Sequence, residues 1–174
     1  MDTSNLSNPP SADVPEAREW RAETVTEQVA ALDTLVALAR VRLQVFDVDL
    51  SEGGWDRPER VDALARFLRG RNARFDVIVH DTRWLEASAP RFVALLRQFG
   101  HAMTVYRTGA EARGAMDPLC IVDGRHYVHR FHVERPRAAV AIEMPQAARP
   151  LCARFEEIWA TGEPGLAGTV LGPP

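Results

Sequence analysis

Apolar positions change their period several times along the 174 residues, and each change marks a predicted element. Val25, Val29, Leu32, Val36 and Ala39 recur at helical spacing, which predicts a helix with one buried face. Thr24 and Glu27 supply a capping box at its start. Val41, Leu43 and Val45 then alternate with Arg42 and Gln44, a period of two that predicts a strand ending near Phe46 and Asp47. After the loop SEGGWDRP, Asp56 ahead of Pro58 and Glu59 predicts a second helix, with Val61, Leu64, Ala65 and Leu68 inward and Gly70 as its stop. Phe75, Val77, Ile78 and Val79 are apolar without alternation, as in a strand buried on both faces. A further helix carries Phe92, Leu95, Leu96 and Phe99 as far as Gly100, and MTVYR at 103–107 reads as the next strand.

The second half of the chain reads as a hairpin and a closing helix. An apolar run from Leu119 to Val122 meets Asp123-Gly124, a strong two-residue turn signal, and the alternating segment RHYVHRFHV returns. Tyr127, His129, Phe131 and Val133 share a parity and are expected to form its buried face. A short strand at 138–142 is expected beside it. A helix from about Gln146 to Trp159 then turns Leu151 and Phe155 inward. Residues 1–16 are expected to be a disordered tail and 161–174 a flexible one, leaving 17–160 as a single α/β domain with an N-terminal helix. The strand–helix–strand order predicts a mixed sheet with helices on both faces.

Composition narrows the chemistry. The chain is 46% hydrophobic with a formal net charge of −3, which disfavours a generally basic nucleic-acid-coating protein. All 21 positive residues are arginine, because lysine is absent from the sequence. A Walker A loop, a Schiff-base cofactor site and any mechanism needing a lysine amine are therefore excluded. The two cysteines, Cys120 and Cys152, lie among apolar neighbours and are expected as free thiols. No apolar run approaches the roughly 18 residues of a membrane span, and the N-terminus lacks a secretory pattern, so a cytoplasmic location is expected.

Several residues are candidates for chemistry. Asp47-Val48-Asp49 at a strand end resembles the nucleophile motif of haloacid-dehalogenase-type phosphatases, and ligands of open α/β sheets bind beyond such ends. That points to a magnesium-dependent phosphoester hydrolase, although the lysine and later acidic pair of that apparatus are missing. His80 and Asp81 end the following strand. His126, His129 and His132 share one strand but alternate across its faces, so they cannot converge, and no metal is expected. Arg125, Arg130, Arg135 and Arg137 form the most positive segment. Arg130 and Arg135 suit a phosphate backbone, and Arg130 equally suits an ion pair with Asp47 or Asp49. Gly53 and Gly54 permit positive φ or close approach, and Trp55 beside them suits either a pocket cover or closure over the sheet; with Trp84 after the next strand, it fits a shallow cleft or the packing of helix starts.

The ordered segments LQVFDVDLSEGGWDRPERVDALARFL, VIVHD, RFVALLRQFGH, DPLCIVDGRHYVHRFH and RFEEIW resemble a family of bacterial proteins of unknown function, over roughly Val41 to Trp159. The family's domain often stands alone or follows an acetyltransferase domain, for which the first 40 residues are too short. That family in turn resembles one half of the phospholipase D fold, whose active members carry His-x-Lys followed by an Asp and pair two halves into one centre. Asp123 matches the motif's Asp, whereas the His and Lys positions fall at Met116 or Asp117 and at Pro118. The resemblance implies a phospholipase D-like half-domain without catalysis: a ligand-binding or protein-interaction module, expected as a homodimer, with no cofactor. An unidentified protein or a phosphate-containing ligand is the expected partner. Asp47, Asp49, Trp55, His80, Asp81, Asp123, His129 and Arg130 are the candidate ligand-binding residues.

Overall fold

The computed structural model describes residues 14–168. Of the expected tails, residues 1–13 and 169–174 lie outside the described residues. The chain runs β1 (Arg18–Ala22), α1 (Val25–Leu38), β2 (Arg42–Asp47), α2 (Pro58–Leu68), β3 (Arg74–Val79), α3 (Arg83–Ser88), α4 (Pro90–Gln98), β4 (Met103–Arg107), β5 (Leu119–Val122), β6 (His126–His132), β7 (Arg135–Ile142), α5 (Pro145–Trp159) and β8 (Glu163–Leu166). The strands form one mixed sheet in the order β1-β7-β6-β5-β2-β3-β4-β8. β2, β3 and β4 are parallel neighbours, and the other pairings are antiparallel. This is the α/β fold that the alternating patterns predict.

Two apolar layers lie on the two sheet faces. Leu43, Val45, Phe75, Val77, Val79 and Val105 face a layer completed by Leu32, Leu35 and Val36 of α1, Leu64 of α2 and Phe92 of α4. Phe46, Ile78, Ile121, Tyr127 and Ala141 face the opposite layer, closed by Ala148, Phe155 and Ile158 of α5. The central strands are thus covered on both sides, as their unbroken apolar runs require.

Thr24 starts α1 as expected, its Oγ1 accepting the Glu27 N–H at 3.1 Å, while Glu27 Oε2 accepts the Glu23 N–H at 2.6 Å. The buried face is rotated from the expected one: Gln28, Ala31, Leu32, Leu35 and Val36 are covered, and Val25 is exposed. Asp56 does not cap α2, whose N-cap is Arg57. Its carboxylate instead accepts the Phe92 N–H in the first turn of α4 at 2.9 Å.

Two edge strands depart from the sequence reading. β1 pairs with β7 ahead of the first expected element. β8 pairs with β4 inside the segment expected as a flexible tail. Pro164 is tolerated there because an edge strand has one side free of ladder bonds. Gly165 is required: a Cβ at that position would lie 2.6 Å from the Val105 carbonyl oxygen. Phe131, expected in the hairpin core, is 41% exposed because β6 runs past the cover of α5.

At the β5–β6 turn, Asp123 and Gly124 both have positive φ, 53° and 66°, as a two-residue hairpin turn demands. The Asp123 carboxylate accepts the backbone N–H groups of Arg40, Val41 and Arg42 at 2.9, 2.9 and 2.8 Å. The Asp123 N–H donates to the Arg42 carbonyl at 2.8 Å. Asp123→Ala is expected to lower stability by about 2–4 kcal/mol, since three amides lose a charged acceptor. Chemical denaturation checks this, with Asp123→Asn falling between Asp123→Ala and the wild type.

Candidate functional site

β5 runs antiparallel to β2, so its first residues lie at the carboxyl ends of β2 and β3, where Phe46 pairs with Leu119. Asp47, Asp49, His80, Asp81, His129 and Arg130 are gathered at that end. The sheet itself divides them between its faces. Val128 and Arg130 point towards α1, whereas Tyr127 and His129 point towards α5, as strand parity requires.

On the α1 face, Arg130 is 6% exposed and its guanidinium is fully engaged. It donates to the carbonyls of Arg135 (2.8 Å), His132 (3.2 Å) and Val133, and pairs with the Glu52 carboxylate. The expected pairing of Arg130 with Asp47 or Asp49 is therefore replaced by one with Glu52. Asp47 accepts the Val48 N–H at 2.6 Å and makes no ion pair among the described residues. Burial raises its carboxyl to about 7, the Val48 N–H opposing, the neighbouring Asp49 adding and Arg130 subtracting. Asp49 turns back on its own loop and accepts the Ser51 N–H at 2.9 Å.

Trp55 does not cover a cleft. It is 1% exposed and packs on Phe75, with the buried Arg60 guanidinium 4.8 Å above its ring. Gly53 makes room for it, because a Cβ there would lie 2.3 Å from the indole nitrogen. Arg60 also holds Asp33 (2.8 Å) and the carbonyls of Gly53 and Val29 (3.0 and 3.1 Å). These contacts fill the space above the Asp47 loop, and the remaining cavity is only about 30 Å3.

On the α5 face, His129 Nε2 lies 2.8 Å from Asp117 Oδ2, and Arg154 of α5 grips both Asp117 oxygens. Burial would raise the Asp117 carboxyl, but the hydrogen bonds from His129 and Arg154 outweigh it and hold it at about 2. These residues, with Met116, Phe131 and His132, line an open cleft of about 300 Å3. His80 bridges Thr108 Oγ1 and the Ala115 carbonyl, each at 2.6 Å, and so ties the loop after β4 to the sheet. Asp81 is taken by Arg83, whose hydrogen bonds hold its carboxyl at about 2. Asp123 lies at the opposite end of β5 from all of these. Arg154, Glu52 and Arg60, which organise the two faces, are absent from the sequence-based candidates. Among the described residues no group of three or more His, Cys, Asp or Glu side chains is arranged to hold a metal ion. No helix among them is long and apolar enough to cross a membrane.

A raised carboxyl makes the folded protein bind more protons than the unfolded chain between pH about 4 and 7, so the Asp47 penalty grows across that window and is complete above it. Asp47→Asn is therefore expected to raise the melting temperature, more at pH 8 than at pH 5, by at least about 3 °C at the higher pH. Thermal melts at the two pH values check the sign.

Known structures share this architecture. Nuc from Salmonella typhimurium, a phospholipase D family member, superposes with a TM-score of 0.60 at 12% identity, over 85% of this chain and 96% of that one. NucT from Helicobacter pylori gives 0.55 at 11% identity, over 86% of this chain and 100% of that one. TrmBL2, an archaeal chromatin protein described with a novel mode of DNA binding, gives 0.62 at 11% identity over 84% of this chain, which spans about half (53%) of TrmBL2. These likenesses establish a phospholipase D-like fold. No curated protein matches the chain significantly. Residues 24–167 match a family model described as a domain of unknown function (DUF7931), and the chain belongs to that family.

Proposed function

We propose that the protein is a non-catalytic binding module built on a phospholipase D-like fold. The observation that carries this reading is the state of the three motif positions. The His and Lys positions hold Met116 or Asp117 and Pro118, and the Asp position, Asp123, is spent on three backbone amides. Without the histidine no side chain there attacks phosphorus as the motif's does, and without the lysine the phosphoryl oxygens lack their cation. The carboxylate of Asp117 repels a phosphate at the same place, and its Arg154 partner is already neutralised by it.

The metal-dependent alternative, hydrolysis through Asp47 and Asp49, has less support. Burial raises the Asp47 carboxyl to about 7, so it is only partly ionised near neutrality, and both carboxylates turn towards backbone amides of their own loop. A phosphate-backbone module using Arg130 is disfavoured by that residue's burial.

The reading is tested with bis(p-nitrophenyl) phosphate, with and without magnesium or manganese. Turnover by the wild type is expected to equal that of Asp47→Asn and of His129→Ala purified in parallel. Turnover that disappears in either folded variant overturns the proposal.

A further inference from the structure

A cavity lies at the far end of the sheet from the phospholipase D motif's His and Lys positions. It is about 550 Å3, within the range of small-molecule sites. The start of β2, the β5–β6 turn and the outer side of α5 enclose it.

Its acidic groups are committed except for one oxygen, Glu143 Oε2, which is buried away from solvent without a hydrogen-bond partner. Asp123 holds three amides, Glu156 accepts from Arg42 (3.0 Å) and Gln44 (3.1 Å), and Glu143 pairs with Arg125 at 3.1 Å. What is left unspent is mostly donor. His126 is 3% exposed, and its Nδ1 accepts the Glu143 N–H at 2.8 Å. That bond puts the ring proton on Nε2, and burial lowers the imidazole's pKa against the pull of Glu143 and Asp123. The Nε2–H has no hydrogen-bond partner among the described residues, yet the ring lines the cavity. Arg40, on the same wall, makes no ion pair among the described residues. Leu38, Val41 and Cys152 supply apolar surface beside these donors.

A buried N–H and an uncommitted guanidinium next to apolar walls match one kind of ligand, an apolar body ending in an acceptor-only anionic group. We propose that this cavity binds a small organic carboxylate, its oxygens meeting His126 Nε2–H and Arg40 and its hydrocarbon part lying along Leu38, Val41 and Cys152. The proposal rests on the reading of the chain as a binding module and names the ligand class of that module. Phosphodiester turnover would overturn the module reading and leave the cavity standing, whereas the experiment below bears on the cavity alone.

Decanoate is titrated into the full-length protein by calorimetry, and Cys152 alkylation by iodoacetamide is followed with and without saturating decanoate. The expected results are saturable one-site binding, at least tenfold weaker binding by Arg40→Gln, loss of binding by Cys152→Trp, and at least fivefold slower alkylation of Cys152 in the complex. Arg83→Gln, a distant surface change, is expected to bind as the wild type does. Absence of binding, wild-type affinity in Arg40→Gln, or unprotected Cys152 overturns the proposal. The alkylation and Arg40→Gln results decide the matter even where Cys152→Trp fails to fold.

Discussion

The carboxylate of Asp123 is the constraint on which the central sheet depends. β2 must serve two kinds of neighbour, parallel β3 on one side and antiparallel β5 on the other. The parallel side is brought together by the helical crossover through α2. The antiparallel side comes from a hairpin nearly eighty residues later, and no local connection fixes its register. Asp123 supplies that fix, because its carboxylate reaches the three amides that lead into β2, and its own N–H returns to the Arg42 carbonyl. A one-residue slip would exchange the residues facing α1 with those facing α5 along the whole strand. The phospholipase D motif's aspartate therefore has a structural use in this chain that does not require the motif's histidine or lysine.

The same economy explains the opposite end of the sheet. Charged side chains are numerous there, but each is closed onto a neighbour: Arg130 onto Glu52 and three carbonyls, Asp117 onto Arg154 and His129, Asp81 onto Arg83. Buried or half-buried charges are stable only when paired and hydrogen-bonded in this way. Asp47 is the exception, and burial raises its carboxyl to about 7. A cluster of acids, histidines and arginines at strand ends thus forms the frame of the loops. Open space with uncommitted donors lies instead beside the β5–β6 turn.

Much of the fold was legible in the sequence, because apolar period is set by the same burial that forms the core. β2 to β6 and the helices α1, α2, α4 and α5 follow from it, and Asp123-Gly124 marks its turn by chemistry alone. β1 and β8 were not legible, since edge strands bury one side at most and Glu-Pro-Gly-Leu carries a breaker signal that only pairing with β4 overrides. The face of α1 was misread because Gln28 is buried by a hydrogen bond to the Pro136 carbonyl, an interaction that no hydropathy pattern reports. The site was less legible still. Asp47, Asp49, His80, Asp81, His129 and Arg130 do share one end of the sheet, but His129 and Arg130 close on partners 12 and 78 residues away. Of the two readings of Trp55, inward packing holds, and the sequence does not decide it for a related reason: its partner Arg60 is a buried cation, and burial of arginine is rare. The signal that could have found Arg60 is its position four residues before Leu64, on the inward stripe of α2.

As a structural frame, the phospholipase D-like end of the sheet is proposed to hold no phosphorus chemistry. Orthovanadate, which mimics a phosphoryl group in transfer, tests this most directly when present in crystals of the full-length protein. Asp117, His129 and Arg154 are expected to keep their mutual contacts, with no vanadium bonded to His129 or Asp47. Density for vanadate joined to the His129 imidazole, with Arg154 drawn from Asp117 onto its oxygens, would contradict it.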